Sequence, residues 1–92
     1  MFRYKKAVPV SYDLQGYIYF YSRLYRMLPV EEKKRIVKIC EAAGGEHAQA
    51  LLEFVTTDAG ATSVCRRHYL SQSTLERAVR RFYVAFAEEI EG

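Results

Sequence analysis

The chain has 92 residues, half of them apolar, and a net charge of +3 at pH 7. This length allows one small domain with its own core. No apolar run approaches the ~20 residues that are needed to cross a bilayer, so we expect a soluble protein. The N-terminus is basic but lacks the continuous apolar stretch of a secretory signal, which favours a cytoplasmic protein.

Positive charge is concentrated in two segments of the chain. Between residues 66 and 81, five arginines stand against one carboxylate, Glu76. These arginines are Arg66, Arg67, Arg77, Arg80 and Arg81. Residues 1–10 form a second basic segment, a candidate N-terminal arm that carries Arg3, Lys5 and Lys6. Both segments are candidate contacts for a polyanion, although surplus arginines are also common on ordinary solvated surfaces.

Apolar residues at steps of three and four predict an all-α fold of about five helices in a single domain, residues 1–92. The first helix is expected to begin near Ser11 or Asp13 and to end at Pro29. Its apolar stripe consists of Leu14, Tyr17, Ile18, Tyr21, Leu24, Tyr25 and Leu28. Its aromatic residues cover more than one face, so we expect some of them to pack against a second copy in a homodimer. The residues nominated for this contact are Tyr17, Tyr19, Phe20 and Tyr21.

Two further helices are expected before residue 60. The second has Glu31 and Glu32 in its first turn, which suits the helix dipole, and Gly44-Gly45 at its end, a common C-terminal signal. The third begins near Glu46 and ends in residues 56–60, TTDAG, whose composition is that of a turn. Both helices are expected to bury one face.

A short helix from about Ala61 to His68 and a long helix from Ser71 toward Glu89 complete the predicted fold. Ser71 is a suitable N-cap for the long helix. An advance of 100° per residue places one apolar stripe along it: Leu75, Ala78, Val79, Phe82, Phe86 and Ile90. A different sector carries the polar residues Gln72, Ser73, Glu76, Arg77 and Arg80. One face is therefore predicted to be buried and the other to present polar and charged side chains.

The stretch from Ala61 to Phe82 resembles the helix-turn-helix of bacterial and phage DNA-binding proteins. Small or apolar residues occupy the positions at which the two helices must approach: Val64, Cys65, Leu70, Leu75 and Ala78. The nearest resemblance is to the motif of the stage III sporulation protein D family, in the segments Ala61-Thr-Ser-Val64 and Ser71-Gln-Ser-Thr74. Such motifs often have glycine at the turn position that Tyr69 occupies. The turn must therefore either avoid a positive φ or accept one at a bulky residue.

The resemblance implies sequence-specific binding of double-stranded DNA by residues 61–90, a helix-turn-helix with an extended recognition helix that enters the major groove N-terminus first. The implied DNA-binding residues at the start of this helix are Ser71, Gln72, Ser73, Glu76 and Arg77, of which the last four face the bases. Gln, Arg and Glu side chains suit adenine, guanine and cytosine edges, respectively. The implied phosphate contacts are Arg66, Arg67, Arg80 and Arg81, which position the protein without reading sequence.

We interpret the chain as a small bacterial or phage/mobile-element transcriptional regulator. A phage packaging or mobile-element accessory DNA-binding protein uses the same kind of motif and stays open. A helical protein-protein adaptor that does not bind DNA is the alternative from another class. A steep salt dependence of nucleic-acid affinity separates the first two from the third.

Catalytic and metal-binding patterns are weak in this sequence. The eight tyrosines lack the surrounding groups of a nucleophilic site, and neither paired carboxylates nor a phosphate-binding glycine loop is visible, so we expect neither an enzyme nor a cofactor. Cys65 and His68, with Cys40 and His47, are candidate zinc ligands but lack the tight spacing of zinc modules. We expect both cysteines to be buried free thiols.

Overall fold

The structure is a computed structural model that describes residues 2–92. Its helical elements are α1 (Tyr12–Arg23), a 3₁₀ turn (Tyr25–Met27), α2 (Val30–Gly44), a second 3₁₀ turn (Gly45–His47), α3 (Ala48–Thr56), α4 (Ala61–His68) and α5 (Gln72–Glu91). The all-α prediction is confirmed, and no strand occurs within the described residues. None of these helices is long and apolar enough to cross a membrane. Met1, the first residue of the expected arm, lies outside the described residues.

The number of helices differs from the predicted five. Helical residues run without interruption from Val30 to Thr56, because a 3₁₀ turn joins α2 directly to α3. Counted as uninterrupted stretches longer than one turn, residues 2–92 contain four helices. At the predicted end of the second helix, Gly44-Gly45, the chain changes direction but stays helical. Gly45 turns the backbone with a φ of +56°, while its N–H still donates to the Glu41 carbonyl. A glycine adopts this left-handed conformation without the steric cost that a side chain would add.

The first helix begins where the sequence predicts but ends earlier. Ser11 caps α1, and its hydroxyl accepts the N–H of Leu14 at 3.3 Å. The helix stops at Arg23 rather than at Pro29, and a single 3₁₀ turn follows. Ile18 is fully buried as expected, whereas Tyr17 and Leu24 are about half exposed, at 53% and 49%. Tyr17 and Leu24 of the predicted apolar stripe therefore lie outside the core.

The last helix is the centre of the bundle, since α5 contacts α1, α2, α3 and α4. Most of its predicted apolar stripe is buried: Leu75, Ala78, Val79, Phe82 and Phe86. Phe86 packs its ring edge-on against Phe82 and against Tyr21 of α1. Ile90 was expected on the same stripe but is exposed, because the stretch that packs in the core ends at Ala87, one turn before the helix does.

The N-terminal segment lies against the helices. Val8 and Val10 belong to the hydrophobic core. Gln15 of α1 is fully buried and holds the segment, because its amide nitrogen donates to the carbonyls of Lys5 and Val10, both at 3.0 Å, and its amide oxygen accepts the Lys5 N–H at 2.9 Å. The buried amide is thus fully paired, as a polar group in a core must be.

Candidate nucleic-acid interface

The connection between α4 and α5 is a tight turn through a left-handed residue. Tyr69 has φ 56° and ψ 50°, and within residues 2–92 it is the single non-glycine residue with a positive φ. Its N–H and that of Leu70 both donate to the carbonyl of Cys65. Ser71 then caps α5, with its hydroxyl accepting the N–H of Thr74 at 3.1 Å. Of the two possibilities that the sequence left open for this turn, the protein adopts a positive φ at a bulky residue.

The side chain of Tyr69 is 93% exposed, which explains why a tyrosine is accepted here. The left-handed conformation costs an L-residue roughly 1–2 kcal/mol. That cost is local, because the ring meets solvent rather than neighbouring side chains. The two hydrogen bonds to Cys65 and the cap at Ser71 hold the conformation.

Buried small and apolar side chains lie behind this turn. Val64, Cys65, Leu75 and Ala78 are each less than a tenth exposed, and Leu70 is half-buried against the core. Cys65 and Ala78 are small, which allows α4 and α5 to approach closely. The residues expected at the contact between these helices are thus buried in the core.

All nine residues nominated for DNA binding are exposed on α4, on α5 or in the turn between them. They are Arg66, Arg67, Ser71, Gln72, Ser73, Glu76, Arg77, Arg80 and Arg81, and we call them the α4–α5 face. This face carries five arginines and one carboxylate. The first turn of α5 contains no acidic residue, so its backbone N–H groups and its helix dipole present positive potential to solvent.

The five arginines differ in how they are held. The guanidinium of Arg67 pairs with the carboxylate of Glu53, and Arg81 donates from Nε to the carbonyl of Ala43 at 2.8 Å. The other three, Arg66, Arg77 and Arg80, have no carboxylate within ion-pairing distance among the described residues. They are therefore available to an external anion, whereas Arg67 and Arg81 are already partly engaged.

Several contacts of the face come from residues that the sequence did not single out. The carboxylate of Glu53 on α3 accepts a hydrogen bond from Arg67 and lies 2.7 Å from His68 Nε2. The hydrogen bond with His68, and then that with Arg67, lowers the pKa of the Glu53 carboxyl below its usual value. Gln72 donates from Nε2 to the Thr62 hydroxyl at 3.2 Å. These partners lie 10 to 15 residues apart on different helices, so no local pattern reveals them.

The two cysteines are buried, as predicted, and neither forms a disulfide. Burial, and then repulsion from Glu41, raises the pKa of the Cys40 thiol to about 12. In the part of the chain that the structure describes, no three histidine, cysteine, aspartate or glutamate residues are grouped to hold a metal ion.

Comparison with known proteins gives no relative for this chain. No protein-family model, no curated protein and no solved structure matches it. We therefore infer function from the geometry of α4, the turn and α5, and from the charges that they expose.

Proposed function

We propose that the chain binds double-stranded DNA in a sequence-specific manner, as a small bacterial or phage/mobile-element transcriptional regulator. In this proposal α4 and α5 form a helix-turn-helix and α5 is the recognition helix. The main support is the left-handed turn at Tyr69 between an eight-residue helix and the Ser71-capped α5, with exposed arginines in front and a packed core behind. A short supporting helix, a tight turn and a second helix open to the groove are what this mode of binding requires.

The side chains of the α4–α5 face suit both the bases and the phosphates of DNA. Arg77 and Gln72 lie in the first turns of α5, where a recognition helix contacts base edges, and their side chains suit guanine and adenine. Arg66 and Arg80 are exposed cations without intramolecular carboxylate partners in residues 2–92, which suits phosphate contacts that fix the register on the duplex. The uncompensated N-terminus of α5 adds a further site for a phosphate.

Selection of bound duplexes from random DNA tests this proposal. We expect an enriched consensus and an affinity that falls steeply with salt, because arginines that neutralise phosphates release counterions. Binding with the same salt dependence but without an enriched consensus would favour a packaging or accessory DNA-binding protein. Absence of binding at low salt would favour the protein-protein adaptor.

We also propose that two copies pair through an apolar stripe that runs from α1 into the 3₁₀ turn after it, and that the pair occupies adjacent half-sites. The stripe consists of Tyr17, Phe20, Leu24 and Met27, with exposed fractions of 53%, 58%, 49% and 81%. Tyr17 and Phe20 lie on α1, whereas Leu24 caps its C-terminus and Met27 lies in the 3₁₀ turn. In a two-fold contact this stripe packs against the same stripe of the second copy.

All four aromatic residues nominated for the dimer contact other rings of their own chain, but Tyr19 and Tyr21 are less exposed than Tyr17 and Phe20 and also form side-chain hydrogen bonds. The hydroxyl of Tyr19 accepts from Arg23 at 2.7 Å. The hydroxyl of Tyr21 bonds the Glu32 carboxylate, and its ring packs on Phe86. The proposed contact therefore keeps Tyr17 and Phe20 and replaces the other two with Leu24 and Met27.

A further inference from the structure

A cavity of about 250 Å³ opens between the N-terminal segment, α1, α3 and α5. Its polar wall is formed by Arg3, Lys5, Tyr19, Ser22, Arg23 and Tyr83. Apolar side chains of α3 and α5, among them Phe54 and Val79, also line it. The cavity lies against the buried residues Val79 and Tyr83 of α5, and its lining residue Lys5 also lies near Glu76 of the α4–α5 face.

Positive charge dominates this cavity. Three cations, Arg3, Lys5 and Arg23, line it together with one carboxylate, Asp58, and that carboxylate is already paired with Arg23. Lys5 has no ion-pair partner within residues 2–92, and its Nζ lies 5.9 Å from the centre of the Tyr83 ring. Burial lowers the pKa of the Lys5 ammonium, and only the attraction of Glu76 opposes this effect. Because the partly buried Lys5 ammonium loses hydration and forms no ion pair among the described residues, an anion bound beside it stabilises its charged form.

Two hydroxyls lie at the cavity wall, and they differ in access. Ser22 of α1 is 1% exposed, and its Oγ has neither a hydrogen-bond partner among the described residues nor appreciable accessible surface, so a ligand in the cavity does not reach it. Tyr83 of α5 supplies the hydroxyl that a ligand can use. Burial, and then repulsion from Tyr19, raises its pKa to about 12, so it stays protonated and able to donate at neutral pH.

We propose that this cavity binds a small organic anion, a carboxylate or a phosphate monoester with an apolar ring or chain. The Lys5 ammonium and the Arg3 guanidinium attract the anionic oxygens, and the hydroxyl of Tyr83 donates to them. Phe54 and Val79 pack against the apolar part. The volume equals that of about eight waters, which limits the ligand to roughly ten non-hydrogen atoms.

Titration of the full chain, without DNA, with benzoate and with phenyl phosphate tests the proposal by amide NMR. We expect saturable shifts at Ser22, Val79 and Tyr83 at millimolar concentrations, with benzyl alcohol, the neutral match, at least tenfold weaker. The two anions distinguish the carboxylate from the phosphate form of the site. Because no DNA is present, failure here leaves the proposed DNA binding untouched.

Two variants and one control complete the test. Lys5→Gln should weaken binding of the anion about tenfold, whereas Lys6→Gln, an exposed neighbour outside the cavity, should leave it unchanged. Tyr83→Phe should weaken binding a few fold, because it removes the hydroxyl that donates to the anion. The proposal is wrong if neither anion gives a saturable shift at these residues. It is also wrong if shifts are confined to the α4–α5 face or if Lys5→Gln binds like wild type.

Discussion

Tyr69 is the residue on which the turn between α4 and α5 depends most directly. A Cβ in the left-handed region costs roughly 1–2 kcal/mol, while glycine loses about 0.5–1 kcal/mol more chain entropy on folding. Because the Tyr69 ring is exposed and contributes little packing, Tyr69→Gly should leave the free energy of unfolding unchanged or raise it by up to ~1 kcal/mol. Tyr69→Val should lower it by ~1–2 kcal/mol, since a β-branched residue fits this region poorly. Urea unfolding measures both, and equal losses in the two variants would contradict the left-handed turn.

Cys65 sets how closely α4 and α5 approach. Its side chain is small and buried, and its carbonyl accepts both N–H groups of the turn. Cys65→Ala removes only the Sγ atom and should lower the free energy of unfolding by no more than ~1 kcal/mol. Cys65→Leu should lower it by ~1–3 kcal/mol through overpacking, and should weaken DNA binding by moving α5 relative to α4. Denaturation and a DNA-binding assay on both variants check this, and a silent Cys65→Leu would show that the helices are not in close contact there.

At the scale of elements, one carboxylate links α3 to the end of α4. The Glu53 carboxylate forms hydrogen bonds with Arg67 and His68, and its pKa is lower in the folded protein than its ordinary value of 4.5. A group with a depressed folded pKa stabilises the fold above its unfolded pKa, and this contribution is lost as pH falls through the folded pKa. Glu53→Gln should therefore lower the free energy of unfolding by about 1 kcal/mol at pH 7.

The difference between Glu53→Gln and wild type should shrink as the pH falls below about 4.5, because Glu53 of the unfolded chain is then protonated, whereas the folded carboxylate, with its lowered pKa, is protonated only at lower pH. Glu41→Gln is the matched control, because Glu41 is exposed on α2 and has no ion pair among residues 2–92. Unfolding measured across this pH range for the three proteins tests the link. A destabilisation of Glu53→Gln that stays constant down to pH 3 would contradict it.

Helix ends that depend on local chemistry are predictable from the sequence. Ser11 and Ser71 both cap helices through their hydroxyls, as expected from their residue type. The early end of α1 was not predictable, because apolar residues continue at helical spacing through Leu28 although the backbone leaves the helix after Arg23. Whether an apolar residue such as Leu24 is buried depends on which neighbours cover it, and the periodicity alone carries no such information.

The candidate site also has features that are predictable from the sequence and features that are not. The exposed face of α5 follows from helical periodicity, so the positions of Gln72, Glu76 and Arg77 were available from the sequence. That Arg81 is held by the carbonyl of Ala43, 38 residues away, depends on how α5 packs against α2. The burial of Val8 was not predictable either, because the segment around Pro9 has no helical pattern. Hydrogen bonds from Gln15 hold this segment against the core.

At the scale of the whole molecule, distant polar contacts fix the orientation of α5. Arg35 of α2 donates to Glu89 at 3.0 Å near one end of α5, and Arg81 bonds the end of α2 nearer its middle. The exposed residues in the N-terminal half of α5 therefore lie on a helix that these contacts and the buried Leu75, Ala78 and Val79 hold in place. A rigidly held recognition helix suits binding with little rearrangement of the backbone.

The proposed dimer is also a property of the whole molecule. The four stripe residues of two copies supply on the order of 800–1,000 Å² of contact, the size of a weak interface, so we expect the pair to be completed on DNA. Phe20→Glu should leave a monomer that binds a two-half-site duplex more weakly and with a stoichiometry of one. Ile90→Glu, which adds the same charge at an exposed apolar position in the last turn of α5, should behave like wild type. Sedimentation at micromolar concentration with and without the duplex measures this, and a wild-type protein that stays monomeric on DNA would contradict it.

Fluorescence anisotropy with one selected duplex and its scrambled counterpart, at several salt concentrations, tests most directly whether α5 reads DNA. We expect wild type to prefer the selected duplex by at least ~10³-fold at physiological salt.

Arg77→Ala should lose ~1–3 kcal/mol of discrimination at one base pair. Arg66→Ala should weaken binding to both duplexes alike and reduce the salt slope by about one. Arg26→Ala, which removes an exposed arginine from the 3₁₀ turn after α1, should match wild type. If Arg77→Ala keeps both the affinity and the preference of wild type, α5 is not the recognition helix.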